Sequence, residues 1–142
     1  MQLDHLLGAQ VHLLPPGTDR DGALRRMASA LKKSGRTPYV IPSGGSNATG
    51  ALGYVACAEE LEAQADTDGE RIDYLVHATG SGGTQAGLIA GFQAIASQTG
   101  VLGVDITAHA ADLRGKVSAI AKDTLARLGG GDRFSKDALQ IV

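Results

Sequence analysis

The sequence has little of what marks several protein classes. Cys57 is the only cysteine, tryptophan is absent, and aromatic residues make up 4% of the 142 residues. A lone cysteine excludes a disulfide within the chain and favours a cytoplasmic setting. Few aromatic side chains are available to stack on bases, and no Lys/Arg run exceeds two residues. The sequence therefore predicts no nucleic-acid partner.

Long apolar runs and clustered metal ligands are also missing. No apolar stretch approaches the roughly 20 residues of a membrane span, and the first ten residues lack the basic start of a secretory signal. The four histidines are scattered, with no pair four residues apart and no cysteine partner: His5, His12, His77 and His109. We predict neither a membrane segment nor a metal site. His77 and Cys57 fit buried core positions better than catalytic ones.

What is present is an alternation of apolar segments that fits one α/β domain. Hydrophobic residues make up 43% and the formal net charge is -2. The predicted strands are residues 9–14, 38–41, 72–78, 101–106 and 138–142. The predicted helices are residues 2–7, a segment between Asp19 or Asp21 and Gly35, and residues 48–64, 84–97 and 110–128. This order predicts an α/β fold with a mostly parallel sheet in a three-layer α/β/α arrangement.

The chain ends suggest a longer protein. Met1 falls inside an apolar helical pattern without a cap, and Val142 follows an apolar strand without a polar tail. Domains usually end on polar or anchored segments, so we expect an internal fragment. A change from basic to glycine-rich composition near Pro42 predicts a boundary there.

The segment "VHATGSGGTQAG", residues 76–87, carries the strongest functional signal. Gly80, Gly82 and Gly83 allow positive φ angles and a close approach of a ligand to the backbone. The helix that follows presents N–H groups without helical partners and the positive end of its dipole. Ser81 and Thr84 add hydroxyl donors. Together these features predict a phosphate site without a lysine or arginine in the loop.

Three other interpretations of this loop were considered. A nucleoside-triphosphate loop requires Gly-Lys-Ser/Thr, whereas Leu88 follows Gly87 here, which excludes it. A dinucleotide loop requires a third glycine where Gln85 stands, although Asp105 ends the next strand near the place of a ribose-binding acid. The dinucleotide site stays open as a second hypothesis. A plain strand-to-helix turn would need fewer glycines and hydroxyls.

A second segment, "GGSNATG" at residues 44–50, has the same layout of glycines, small polar residues and a helix. Ser46 or Asn47 could simply cap that helix. Alternatively, Ser46 and Asn47 form a second wall of the same ligand site. The sequence favours neither interpretation.

Three stretches together resemble a known family: "YVIPSGGSNATGALGYVACAEEL" (39–61), "IDYLVHATGSGGTQAGLIAGF" (72–92) and "VLGVDI" (101–106). They are similar to the D-cysteine desulfhydrase and L-cysteate sulfo-lyase group, which is related to 1-aminocyclopropane-1-carboxylate deaminase. These are pyridoxal-phosphate enzymes of the tryptophan-synthase-β-like fold. The resemblance implies that the cofactor is pyridoxal 5′-phosphate. It also implies that six residues surround the phosphate: Thr79, Gly80, Ser81, Gly82, Gly83 and Thr84.

The same resemblance implies what this chain does not contain. The family's Schiff-base lysine lies in a G-N-K-x-R-K-type motif, and none of the five lysines here has that context: Lys32, Lys33, Lys116, Lys122 and Lys136. We therefore assign no catalytic residue to this chain. Residues 1–42 would be the end of the small domain, and residues 43–142 part of the large domain.

The implied activity is α,β-elimination on D-cysteine or L-cysteate, which yields pyruvate, ammonia and sulfide or sulfite. The whole enzyme would be a cytoplasmic homodimer acting on a small amino acid, with no nucleic-acid or membrane partner, and this chain alone would be inactive. Two alternatives stay open: a deaminase of the 1-aminocyclopropane-1-carboxylate type, and a non-catalytic module that binds a phosphorylated ligand or another subunit.

Overall fold

A computed structural model describes residues 2–107 and 110–142, with the backbone alone for Ala110 and Ala111. The chain forms two compact units, Met1–Ile41 and Pro42–Val142. The helices are α1 (Gln2–Leu6), α2 (Arg20–Lys33), α3 (Ala48–Asp68), α4 (Gly83–Ala94) and α5 (Ala110–Arg127). The strands are β1 (Tyr74–Thr79), β2 (Gly100–Asp105) and β3 (Leu139–Ile141). Short 3₁₀ turns occupy Ser43–Gly45, Gly131–Arg133 and Lys136–Ala138.

The first unit contains α1 and α2. Asp19 caps α2, since its side chain accepts a hydrogen bond from the Gly22 N–H at 2.9 Å. Gly35 follows the helix with a φ of +79°, the left-handed conformation that glycine adopts most readily. Of the two starts predicted for this helix, Asp19 and Asp21, the structure uses Asp19, and the predicted end at Gly35 is confirmed.

Two predicted strands are wrong. Residues 9–14 and 38–41 have no strand conformation, and their larger side chains are exposed. Leu13 is 73% and Tyr39 is 74% exposed. Apolar composition alone suggested these strands, but a strand also needs a partner for its N–H and C=O groups. Neither segment pairs with another among the described residues.

The second unit is built on a parallel sheet in the order β1-β2-β3. Tyr74 pairs with Gly100 and Thr79 with Asp105, while Val101 of β2 pairs with Leu139 of β3. Helix α4 connects β1 to β2, and α5 lies between β2 and β3. The predicted α/β class with a parallel sheet is confirmed. The carboxyl ends of β1 and β2 therefore share one edge, where the first turns of α4 and α5 begin.

Helices α3 and α4 pack closely against each other where α4 has glycine. A Cβ on Gly87 would lie 2.6 Å from Tyr54 Cβ, and one on Gly91 would lie 2.7 Å from Ala58 Cβ. The buried residues of α3 are accordingly small: Ala48, Ala51, Val55 and Ala58. Tyr54 of the same helix is 40% exposed. Larger residues of α4 and α5 complete the core with β2 and β3, including Ile89, Phe92, Val101, Val117 and Ile141.

One sheet face of this unit contributes to that core, and the other is open. Val101 is buried, whereas Tyr74 and Val76 of β1 are 59% and 60% exposed and Val104 of β2 is 42% exposed. A second helical layer over this face is not among the described residues of the unit. In the described part of the chain, no helix is long and apolar enough to span a membrane. The same residues contain no cluster of three or more potential metal ligands.

Candidate functional site

The loop after β1 forms a bare helix start. Gly82 is the N-cap residue of α4 and has a φ of +86°, and no side chain among the described residues caps the helix. A Cβ on Gly82 would lie 3.0 Å from Val117 Cγ2 of α5. Position 82 therefore requires glycine for its conformation and for the space available. The first N–H groups of α4 are left for another acceptor.

The second glycine loop lies against the first. Ser46 Oγ donates a hydrogen bond to Ser81 Oγ at 2.7 Å, across 35 residues of sequence. Asn47 behaves differently: its Oδ1 accepts from the N–H groups of Thr49 at 3.0 Å and Gly50 at 2.8 Å, so it caps α3. The structure thus brings Ser46 to the loop and uses the Asn47 side chain within its own helix.

Glycines make this close approach possible. A Cβ on Gly83 would lie 2.7 Å from Ser46 Oγ and 3.0 Å from Ser46 Cα. A Cβ on Gly44, which has a φ of +67°, would lie 2.5 Å from Ser81 Oγ. The distances of 2.7 Å and 2.5 Å to the two serine Oγ atoms are shorter than a Cβ atom tolerates. The two loops therefore meet at one surface of backbone and hydroxyl groups, called the glycine cradle below (residues 44–46 and 80–84).

Thr79 lies beneath the glycine cradle. It is 2% exposed, and its Oγ1 has no hydrogen-bond partner among the described residues. An unpaired buried hydroxyl is costly. His77, two residues earlier on the same strand, is half-buried, and its Nδ1 lies 2.9 Å from the Ala78 carbonyl oxygen. Its Nε2 is buried without a described partner, which agrees only in part with the hydrogen-bonded core histidine predicted from the sequence.

Gln85 has a structural position on the buried side of α4. It is fully buried, and its Nε2 donates to the Gln140 carbonyl oxygen of β3 at 2.8 Å. Its side-chain amide fills the space where Gly103 of β2 would carry a Cβ. The residue that breaks the dinucleotide fingerprint therefore links α4 to the sheet. Asp105, the candidate ribose acid, accepts hydrogen bonds at 2.7 Å from the N–H and the hydroxyl of Thr107.

A small cavity of about 130 Å³ adjoins the cradle at Gly80. Its other lining residues are Thr107, Asp112, Leu113 and Lys116. Sequence reasoning missed Lys116 and Asp112, because they come from α5, about 30 residues after the loop. Their spacing of four residues, which puts two side chains on one helix face, was the available signal. His109 lies outside the described residues.

The cradle has the features that a phosphate ester needs. Its N–H groups at the start of a 12-residue helix and its Ser81 and Thr84 hydroxyls are neutral donors, and the helix dipole adds positive potential. Glycine at positions 44 and 83 lets the two loops meet, since a Cβ there would clash with Ser81 and Ser46. Backbone N–H groups and hydroxyls are donors that a cofactor phosphate accepts, so the residues present fit that group.

Comparison with known proteins places the chain in a family. Residues 1–142 match the family described as pyridoxal-phosphate dependent enzyme. The chain belongs to this family.

Two relatives and one solved structure show which members of the family the chain is similar to. The chain is 38% identical to a 1-aminocyclopropane-1-carboxylate deaminase of Mesorhizobium japonicum over 99% of its own length and 42% of the relative. It is 40% identical to a D-cysteine desulfhydrase of Serratia proteamaculans over 82% of its length and 36% of the relative. A crystal structure of a 1-aminocyclopropane-1-carboxylate deaminase homologue matches with a TM-score of 0.69 and 30% identity, covering 88% of this chain and 39% of that one. The chain therefore spans about two fifths of these proteins.

Proposed function

We propose that the whole protein is a pyridoxal-phosphate-dependent lyase that performs α,β-elimination on a cysteine-like amino acid. Pyruvate, ammonia and sulfide or sulfite would be its products. This chain would supply the site of the cofactor phosphate. The observation that carries the proposal is the glycine cradle, in which an uncapped helix start and the Ser46–Ser81 hydrogen bond meet at one surface.

The residues of the cradle would bind and orient the cofactor. N–H groups in the first turn of α4 and the hydroxyls of Ser81 and Thr84 donate hydrogen bonds to phosphate oxygens. Ser46 holds Ser81 in place. Thr79 provides a buried hydroxyl beneath the loop. When bound, pyridoxal phosphate supplies an electron sink for the bond broken at the substrate's α-carbon.

No residue of this chain is proposed to exchange protons with the substrate or to hold the cofactor covalently. The chain's part is to fix the phosphate, and with it the position of the ring. Residues 1–42 would belong to the small domain and residues 43–142 to the large domain. The division of the chain at Ile41 and Pro42 supports this assignment.

A deaminase of the 1-aminocyclopropane-1-carboxylate type is the second candidate. The supporting observation is that the deaminase of Mesorhizobium japonicum aligns with 99% of this chain, whereas the desulfhydrase of Serratia proteamaculans aligns with 82%. The identities, 38% and 40%, are nearly equal. The segment "VHATGSGGTQAG" favours a cysteine-type substrate.

The experiment is a substrate comparison with the full-length protein loaded with pyridoxal phosphate. D-cysteine, L-cysteate and 1-aminocyclopropane-1-carboxylate are each supplied, and 2-oxo acid, ammonia, sulfide and sulfite are measured. We expect pyruvate with equimolar sulfide or sulfite. Release of a 2-oxo acid and ammonia only from the cyclopropane substrate would replace the lyase by the deaminase. No turnover of any of the three would reject both.

The whole enzyme is also proposed to be a cytoplasmic homodimer. The single cysteine, Cys57, is free and half-buried, as suits a reducing compartment. Sedimentation of the full-length protein at micromolar concentration checks the oligomeric state, and a mass of one chain would contradict the dimer.

A further inference from the structure

The glycine cradle leaves part of a phosphate's charge unbalanced. A phosphate monoester carries between about -1.5 and -2 charges at pH 7, whereas a helix N-terminus offers the equivalent of about +0.5. The remaining donors in the cradle are neutral. The loop itself contains no cation, so a positive side chain must come from another element if one is present.

Lys116 of α5 is placed to be that cation. It lines the cavity of about 130 Å³ that opens beside Gly80. Its neighbours on the helix, Leu113 and Val117, pack against the loop, since a Cβ on Gly82 would lie 3.4 Å from Leu113 Cδ1 and 3.0 Å from Val117 Cγ2. Helical side chains lean toward the N-terminus of their helix. This direction agrees with the place of the Lys116 side chain in the lining of the cavity beside Gly80.

Carboxylates at the same edge make this charge more important. Asp112 lines the same cavity one turn before Lys116. Asp105 ends β2 and accepts hydrogen bonds from Thr107, which also lines the cavity. Without Lys116, the carboxylate of Asp112 would stand at this cavity and repel a bound phosphate.

We propose that Lys116 is the electrostatic partner of the phosphate bound in the glycine cradle, and that Asp112 opposes it. Lys116 positions and neutralises the phosphate, and takes no part in the chemistry at the substrate. The inference rests on the proposed function, because it assumes a phosphorylated ligand in the cradle.

The test measures binding of pyridoxine 5′-phosphate and of pyridoxine to the full-length protein by calorimetry. Neither compound has an aldehyde, so neither forms a covalent bond with a lysine. Lys116→Gln is expected to weaken pyridoxine 5′-phosphate about fivefold, as for a partly exposed ion pair, and to leave pyridoxine unchanged. Lys122→Gln, an equal charge change at an exposed position of the same helix, is the matched control and should leave both affinities unchanged.

A variant of opposite sign separates charge from folding. Asp112→Asn removes the negative charge that lines the same cavity, and it is expected to tighten pyridoxine 5′-phosphate about twofold to fivefold. General damage to α5 would weaken binding in both variants. Added salt should reduce the affinity of the wild type more than that of Lys116→Gln.

The outcomes distinguish the two proposals. If the wild type binds no pyridoxine 5′-phosphate, the proposed function is rejected, and the role of Lys116 is rejected with it. If the wild type binds it and Lys116→Gln binds it equally well, the cradle stands and the role of Lys116 is rejected. Equal weakening by Lys116→Gln and Lys122→Gln would also reject a specific role.

Discussion

The two glycine loops begin alike in sequence and differ in how their helices begin. At residues 44–47 the chain turns through glycine into α3, and the Asn47 side chain accepts hydrogen bonds from two N–H groups of the first turn. At residues 80–83 it turns through glycine into α4, whose N-cap residue is Gly82, and no described side chain caps that helix. One helix start is capped by a side chain of the protein, and the other is the start at which we propose that a phosphate binds.

The difference shows that glycine content alone does not determine how the following helix begins. The informative feature is which residue occupies the N-cap position. Asparagine at position 47 closes the first site with a side-chain oxygen. Glycine at position 82 has no such oxygen, and its φ of +86° turns the loop so that Ser81 meets Ser46. The capped loop thus supports the uncapped one.

The largest expected effect comes from forcing the two loops apart. Gly83→Ala adds a Cβ 3.0 Å from Ser46 Cα, so the backbone of one loop must shift. We expect a loss of about 1–3 kcal/mol in the free energy of unfolding and loss of detectable phosphate-ligand binding. Denaturant unfolding and calorimetry with pyridoxine 5′-phosphate measure the two effects.

Gly53→Ala is the matched control for that substitution. Gly53 lies exposed within α3, and nothing stands within 4 Å of its added Cβ. The free energy of unfolding should rise by about 0.5–1 kcal/mol, because alanine favours the helix, and binding should not change. Normal ligand affinity in Gly83→Ala would show that contact between the loops is not required.

The capped loop is tested by Asn47→Ala. Loss of the two hydrogen bonds to the Thr49 and Gly50 N–H groups should cost about 1 kcal/mol of stability. Asn47→Ser keeps a capping oxygen and should recover most of that loss. In Asn47→Ser the ligand affinity should stay within about twofold of the wild type, since the role of the Asn47 side chain is to cap α3. A large affinity loss in Asn47→Ser despite normal stability would assign Asn47 to the ligand site.

Thr79→Val tests whether the open loop relies on the hydroxyl beneath it. Valine has the same shape and removes an unpaired buried Oγ1, so stability without ligand should rise by up to about 1 kcal/mol. If the ligand completes the hydrogen bonding of Thr79, pyridoxine 5′-phosphate should bind about fivefold more weakly. We expect both changes, measured by thermal unfolding and calorimetry. Higher stability with unchanged affinity would remove Thr79 from the site.

The second unit was largely predictable from the sequence because its signals are local. The apolar runs at 72–78, 101–106 and 138–142 correspond to β1, β2 and β3, and the glycines mark the loop before α4. The same reasoning failed at residues 9–14 and 38–41, whose apolar residues pair with no strand in the described part of the chain. A pairing partner is a tertiary property that composition does not contain.

The site was predictable in part for the same reason. Glycine spacing predicts a phosphate loop, which stays a prediction. The layout of residues 44–50 raises a second wall as one interpretation, and the Ser46–Ser81 hydrogen bond shows that the two loops adjoin. The sequence could not show that Ser46 contacts Ser81 while Asn47 caps α3, since the side-chain oxygen of either residue can cap a helix. Lys116 reaches the cavity through the packing of α5, so no pattern within the loop could reveal it.

The smallest expected effect lies at the other end of the same two helices. Glu62, near the end of α3, accepts hydrogen bonds from the hydroxyl of Ser97 and, at 2.6 Å, from that of Thr99, both in the segment after α4. These hydrogen bonds hold the pKa of the Glu62 carboxyl below its ordinary value of 4.5. The stabilisation is therefore fully present above about pH 4.5 and is lost as the pH falls through the lowered pKa.

Glu62→Gln should remove this dependence of stability on pH. Denaturant unfolding at pH 7 and pH 3 measures the free energy of unfolding of the wild type and the variant. The expected difference between wild type and variant at pH 7 is about 0.5 kcal/mol or less. It is small because Thr99 Oγ1 also lies 2.8 Å from the Ile72 carbonyl oxygen and can donate there when Glu62 is protonated.

Glu59→Gln, at an exposed position of the same helix, is the control. Ligand affinity should stay unchanged in both variants, because Glu62 holds the helix ends opposite the cradle. A fall in phosphate affinity in Glu62→Gln would mean that the open loop depends on both ends of the α3–α4 pair.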